Sequence, residues 1–219
     1  MMRHALSTRL WHWINLICLV VLLMSGLNIS NAHPRLYWGD WGFAPEQAWL
    51  HVPRFPQWMT IPDYYSLAQA RSWHFLAAWP FALGLLFVWI AMLANRHFKR
   101  DVATTRREWR WSAIKADLVS HLKFDFDHGS GYNFLQKLAY GAVYGLFLPM
   151  MIFTGLAISP GIEPVLGWLV DLLGGRQSAR SLHFIFAALT FGFFLVHIAL
   201  VLATGPIKQI CGMITGDRP

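Results

Sequence analysis

Four uncharged apolar runs, each about as long as a bilayer core is thick, constrain this chain more than any other feature. They are Leu10 to Ile29, Trp73 to Ala94, Leu138 to Ile158 and Leu182 to Ala203, and none contains Asp, Glu, Lys or Arg. A hydrocarbon layer roughly 30 Å thick takes about 20 residues of α-helix. Backbone polar groups have no water partners there, so each run is expected to be helical. Only 13% of the residues are charged, against about a quarter in soluble domains. The expectation is an all-α integral membrane protein: one domain over residues 1–219, built as a four-helix transmembrane bundle.

The net charge of +7 accompanies no Gly-rich phosphate loop and no nucleic-acid-binding signature, and topology explains it instead. The amino-terminal tail, the Asn95 to Lys137 connection and the carboxy-terminal tail hold 13 of the 18 Lys and Arg, and positive loops stay in the cytoplasm. Both termini are therefore expected to be cytoplasmic, with a long outer loop, Ser30 to Ser72, between helices 1 and 2. Arg3 and Arg9 before the first run, and Ser30-Asn31-Ala32 after it, imitate a secretory signal peptide, but the run is longer than a signal core and is read as a retained span. Cys18 and Cys211 form no metal-ligand spacing and no Cys-x-x-Cys-His haem attachment.

Ten histidines are present, and four of them, His12, His74, His183 and His197, fall in or at the edge of the spans. An intramembrane imidazole is costly and is a functional candidate by default, although a lone one is often only hydrogen-bonded to a neighbouring helix. His183 and His197 are 14 positions apart, which places them within roughly 40° of one helix face and about 21 Å apart in depth. With the topology above, His74 is level with His183 near the outer surface, and His12 with His197 near the inner one. Two facing imidazoles suit the axial positions of a haem iron, whereas zinc takes about four ligands. Two non-covalent haem b groups are the expected cofactors, ligated by the pairs His12/His197 and His74/His183.

Arg9, Arg71 and Arg180 each precede one of these histidines by three residues, on the same face and toward the headgroups, where an Arg can pair with a haem propionate. Snorkelling at helix starts is the competing explanation for each alone. Phe194 holds the corresponding position before His197. Gly26, Gly84, Gly141, Gly145, Gly155 and Gly192 are suited to close helix packing or to a flat porphyrin face; Pro80 and Pro149 are expected kink sites.

Arg9-x-x-His12-Trp13, Arg71-x-x-His74, the fourth span with histidines 14 apart, Tyr132-Asn133-Phe134-Leu135-Gln136-Lys137 and Thr154-Gly155-Leu156 together resemble the prokaryotic di-haem cytochrome b family. That family includes the gamma subunit of formate dehydrogenase, the cytochrome b subunit of nickel-iron hydrogenases, thiosulfate reductase cytochrome b subunits and bacterial cytochrome b561-like proteins. The resemblance covers the whole chain and implies the same histidine pairing. It also implies a subunit of the bacterial inner membrane that passes electrons between a periplasmic oxidoreductase and the quinone pool, with Asn133 and Gln136 bordering the quinone. Capping of the third helix is the competing role for those two residues. Among partners, a molybdopterin-dependent oxidoreductase is the first candidate.

The outer loop, rich in Trp and Pro, departs from the best-known members; an interfacial aromatic belt, a lid over the outer haem and a docking surface are its candidate roles. His33 and His51 lie in it unassigned, and His97, His121 and His128 fall in the cytoplasmic connection. The main alternative function is a stand-alone quinone-linked oxidoreductase of the cytochrome b561 type, such as a superoxide:quinone oxidoreductase. A proton or metal transporter is disfavoured because the spans carry no carboxylate to relay protons.

Overall fold

The computed structural model describes residues 6–41, 43–94, 103–122 and 133–216. His97, His128 and Tyr132 lie outside them, as does the side chain of His121. Among the described residues, four helices are long and apolar enough to cross a membrane: Leu6–Ala32, Leu67–Ala94, Phe134–Ala157 and Arg176–Ala203. Each expected span is found inside one of them, apart from the last residue of the third. The helices begin four to six residues earlier than the apolar runs, because helical hydrogen bonding continues into polar sequence that apolarity does not mark.

The first, second and fourth are single elements, α1 (Leu6–Ala32), α2 (Leu67–Ala94) and α7 (Arg176–Ala203). The third is composite: α4 (Phe134–Ala142), a π-helical turn over Val143–Phe147, then α5 (Leu148–Ala157) with Pro149 in its first turn. Pro149 has no N–H to give the preceding turn, and the wider π turn absorbs that break. The Tyr144 carbonyl in this turn accepts from Trp89 Nε1 of α2 at 3.2 Å, so the widened turn is tied to its neighbour. Pro80 lies inside α2, which runs through it.

Among the described residues, three short α-helices lie outside the spans: α3 (Trp111–Leu122), α6 (Glu163–Leu172) and α8 (Pro206–Thr215). The core of the bundle is Trp11 and Cys18 of α1, Phe81 and Leu85 of α2, and Val143 and Leu148 of the third span. Gly84 is used for close packing: a Cβ there would come 2.0 Å from Cζ3 of Trp11, so the indole comes this near α2 only because that position has no side chain.

The connection from α1 to α2 is folded. Its two-stranded hairpin, β1 (Arg35–Leu36) and β2 (Leu50–His51), pairs Arg35 with His51 and Leu36 with Leu50. Rings stack across it, Tyr37 on Phe43 and Trp38 on Trp49. The loop docks on the start of α7, whose first amides have no helical acceptors. The Gly39 carbonyl accepts from Gln177 N at 3.0 Å and Ser178 N at 3.1 Å, and Gly39 N donates to Ser178 Oγ at 2.7 Å. Trp49 Nε1 donates to Ser181 Oγ at 2.9 Å. On the other side, Asn28 Nδ2 of α1 donates to the carbonyls of Pro62 and Tyr64 at 3.0 and 2.8 Å, and Asn31 exchanges two bonds with the backbone of Phe55. This end of the bundle is called the loop end below, and the opposite one, where the chain begins and α8 lies, the tail end.

Candidate functional site

The four intramembrane histidines face each other in two pairs, one toward each end of the bundle. At the loop end, His74 of α2 and His183 of α7 have ring centroids 6.2 Å apart; at the tail end, His12 of α1 and His197 of α7 are 6.4 Å apart. The two pairings reached from depth along the helices are the two that meet in space.

These separations allow a test of fit for a haem. Metal–nitrogen bonds of about 2 Å, with each nitrogen about 1.1 Å from its ring centre, would hold two imidazoles with centroids roughly 6.2 Å apart. Both pairs match. Each pair would supply two ligands, enough for a haem iron and two short for a tetrahedral zinc. Among the described residues no cluster of three or more His, Cys, Asp and Glu side chains forms.

At the loop end the histidines have partners that sequence reasoning missed. His74 Nδ1 is 3.0 Å from Ser25 Oγ on α1, and His183 Nδ1 is 2.9 Å from Thr154 Oγ1 on α5. Both hydroxyl residues are fully buried. Each is followed by glycine, and a Cβ at Gly26 would lie 3.6 Å from His74 Cε1, one at Gly155 3.5 Å from His183 Cε1. One sequence signal was available: Ser25-Gly26-Leu27 and Thr154-Gly155-Leu156 repeat a hydroxyl-Gly-Leu triplet on two different spans. At the tail end the rings have aromatic neighbours: His197 stacks on Phe193, with centroids 6.1 Å apart and 17° between planes, and His12 meets Trp13 edge-on at 5.2 Å.

The three arginines occupy the ends expected of them. Arg71 and Arg180 are both near His33, whose pKa is lowered by partial burial and by the charges of Arg180 and Arg71. The unassigned loop histidine thus belongs to a cationic group at the loop end. Arg180 Nη2 donates to the Arg35 carbonyl at 3.1 Å. At the tail end, Arg9 Nε and Trp13 Nε1 both donate to the Met213 carbonyl of α8, at 3.4 and 3.2 Å.

Asn133 and Gln136 form a capping box at the start of α4. Asn133 Oδ1 accepts from Gln136 N at 2.8 Å, and Gln136 Oε1 accepts from Asn133 N at 3.3 Å. The capping role weighed for them is present, and it uses their side-chain oxygens. Asp117 of α3 caps the same turn by accepting from Leu135 N at 2.9 Å, and Lys137 pairs with Glu108 at 2.8 Å.

Comparison with known proteins identifies the family of the chain. Residues 3–216 match the family described as prokaryotic cytochrome b561. The chain is 30% identical over 213 residues to a putative protein-methionine-sulfoxide reductase subunit, YedZ1, of Azospira oryzae, covering 95% of this chain and 93% of the relative. It is 25% identical to probable Ni/Fe-hydrogenase B-type cytochrome subunits of Cupriavidus necator and Azotobacter vinelandii, covering 96% of this chain in each case and 83% and 85% of those relatives. No solved structure matches. Because the family match runs over nearly the whole chain, the protein is a transmembrane b-type cytochrome, an electron-transfer protein belonging to the prokaryotic cytochrome b561 family.

Proposed function

We propose that this chain is the membrane subunit of a quinone-linked oxidoreductase and holds two haem b groups, one in each histidine layer. The observation that carries this reading is the pair of imidazole separations, 6.2 and 6.4 Å. Haem b, when bound, supplies reversible one-electron chemistry at each level. The chain's contribution would be to hold each group between two histidines, His74 and His183 or His12 and His197, which would leave no open site for other ligands, and to carry both levels on one helix, α7, about 21 Å apart by residue count. Arg71 and Arg180 at the loop end and Arg9 at the tail end are the propionate partners in this reading.

The loop end faces the periplasm and both termini face the cytoplasm, supported by the distribution of Lys and Arg. The bacterial inner membrane is the proposed location. A quinone binds near the tail-end layer, bordered by Asn133 and Gln136, the residues whose side-chain oxygens form the capping box of α4 and whose amides can donate to a carbonyl. The partner is a redox enzyme docked on the folded loop. The names of the relatives, each a subunit, favour this over a stand-alone oxidoreductase, and a molybdopterin-dependent enzyme is the proposed type, with a hydrogenase the other outcome of a pull-down.

A pyridine haemochrome count and reduced-minus-oxidised spectra test the reading. We expect two b haems per chain, with His12 or His197 variants losing one and His74 or His183 variants the other. A folded, membrane-inserted protein without haem overturns it. Asn133→Asp and Gln136→Glu keep the capping oxygens and remove the amide nitrogens; they should slow quinone-linked haem reoxidation at unchanged haem content. Wild-type rates would remove these residues from the quinone site.

A further inference from the structure

We infer that Ser25 and Thr154 are matched positioning residues for the loop-end haem: each fixes the tautomer and ring orientation of the axial histidine opposite it and thereby lowers that haem's reduction potential. The inference rests on the di-haem reading and adds to it two residues outside the ligand and propionate sets.

The argument begins with hydroxyl protons. A hydroxyl has one proton to give. Ser25 Oγ donates to the Val21 carbonyl at 2.6 Å, and Thr154 Oγ1 donates to the Met150 carbonyl, each one turn back on its own helix. With the proton committed there, the oxygen can only accept from the ring. Nδ1 of both His74 and His183 therefore carries the hydrogen, and Nε2 presents its lone pair, the form a metal requires. Full burial of both hydroxyl residues keeps water from substituting for either one.

The helices involved are all different. The rings come from α2 and α7, and the hydroxyls from α1 and α5, so each ring is fixed by a helix other than its own. The glycine after each hydroxyl lets the ring edge lie against the helix backbone. A hydroxyl that merely bonded back to its own helix would need neither an imidazole within 3.0 Å nor the same arrangement on a second span. Each chain of carbonyl, hydroxyl and imidazole is polarised in one direction, which makes Nε2 a stronger base and favours the ferric state. Ser25 and Thr154 bond to His74 and His183, so the effect belongs to the loop-end haem.

The test is a redox titration, followed optically and by electron paramagnetic resonance, of the full chain in membranes carrying Ser25→Ala, Thr154→Val or Thr154→Ser. At a fixed potential, the ferric-to-ferrous ratio of the loop-end haem should fall about three- to tenfold in Ser25→Ala and in Thr154→Val. Its low-spin signal should change, the tail-end haem should not, and Thr154→Ser should behave as wild type. The double variant should show roughly the product of the single effects. Loss of the loop-end haem from Thr154→Val with retention in Thr154→Ser also supports positioning. Variants that keep both haems at wild-type potentials and signals overturn the inference, as does an equal shift of both haems. A wild type without haem would defeat the di-haem reading itself, whereas a di-haem wild type with silent variants defeats only this inference.

Discussion

The two ends of the bundle present the same pair of imidazoles and hold them by different means. At the loop end each ring meets a buried hydroxyl on a helix other than its own, and the end is closed by a folded loop whose Gly39 carbonyl caps α7. At the tail end the rings have aromatic neighbours, and one carbonyl, that of Met213, ties α8 to Arg9 and Trp13 of α1. Directional hydrogen bonds fix orientation, and aromatic contact fixes mainly distance. Each loop-end ring is therefore oriented by a hydroxyl on another helix, whereas the tail-end contacts described above are aromatic, and the two ends can be perturbed through different residues.

The sharpest way to break this contrast is Gly175→Ala. Gly175 has φ +102°, and a Cβ there would come 2.5 Å from the Gly39 carbonyl oxygen. Backbone strain and a clash with backbone act together, and neither can be relieved by turning a side chain. We expect a cost above about 3 kcal/mol, the loop released from α7, and the loop-end haem lost on heating well before the tail-end one. Limited proteolysis within residues 33–66 and a haemochrome count after a temperature step measure both.

The complementary change at the tail end is Gly84→Ala. The added methyl would stand 2.0 Å from Cζ3 of Trp11, so the indole must move, and Trp11 adjoins His12. Overpacking of this kind costs about 1–3 kcal/mol. Here the tail-end haem should lose occupancy while the loop-end haem keeps its own. If one glycine variant affected both haems equally, the two ends would not be independent.

What could be read from the sequence follows the same division. The four helices were legible because an uncharged run of bilayer length has few other solutions, and the histidine pairs because depth along a helix is a matter of counting residues. The caps of α7 were not, since Gly39 and Ser178 are 139 residues apart and nothing local marks Gly39 as an acceptor site. The histidine contacts of Ser25 and of Thr154, the latter known from the sequence only as part of a motif, were missed for another reason: a buried hydroxyl in a span usually bonds to its own helix, as these also do, and only the fold brings imidazoles within reach. The α6 and α8 helices lie outside the apolar runs and so escaped a reading based on membrane length. Capping by Asn133 and Gln136 was foreseen as an alternative, because Asn followed three residues later by Gln is a local signal.

A smaller change sharpens the loop end. Trp49→Phe keeps the stack on Trp38, with centroids 5.5 Å apart, and removes the donor to Ser181 Oγ. Ser181 still donates to the Tyr37 carbonyl at 2.6 Å, so its hydroxyl is not left without a partner. The expected loss is about 1 kcal/mol, visible as a lower midpoint for thermal release of the loop-end haem. A loss as large as that of Gly175→Ala would mean that the indole, rather than the Gly39 carbonyl, holds the loop down.

The smallest expected effect is at the tail end, where Glu108 pairs with Lys137 beside the capping box. The Lys137 ammonium, with the Thr105 backbone amide, holds the Glu108 carboxyl below the usual carboxylate range. A carboxyl with a lowered folded-state value contributes its stability fully above its unfolded pKa of about 4.5. The contribution is then lost as pH falls through the lowered value. The pair is partly exposed, which limits it to at most about 0.5 kcal/mol and makes it sensitive to salt. Glu108→Gln should therefore lower the thermal midpoint of the tail-end haem slightly at pH 7, less so in high salt, and not at all at a pH where the wild-type carboxyl is already protonated. A loop-end midpoint that followed the same curve would show that α3 and the start of α4 support the whole bundle, and the contrast between its ends would have to be redrawn.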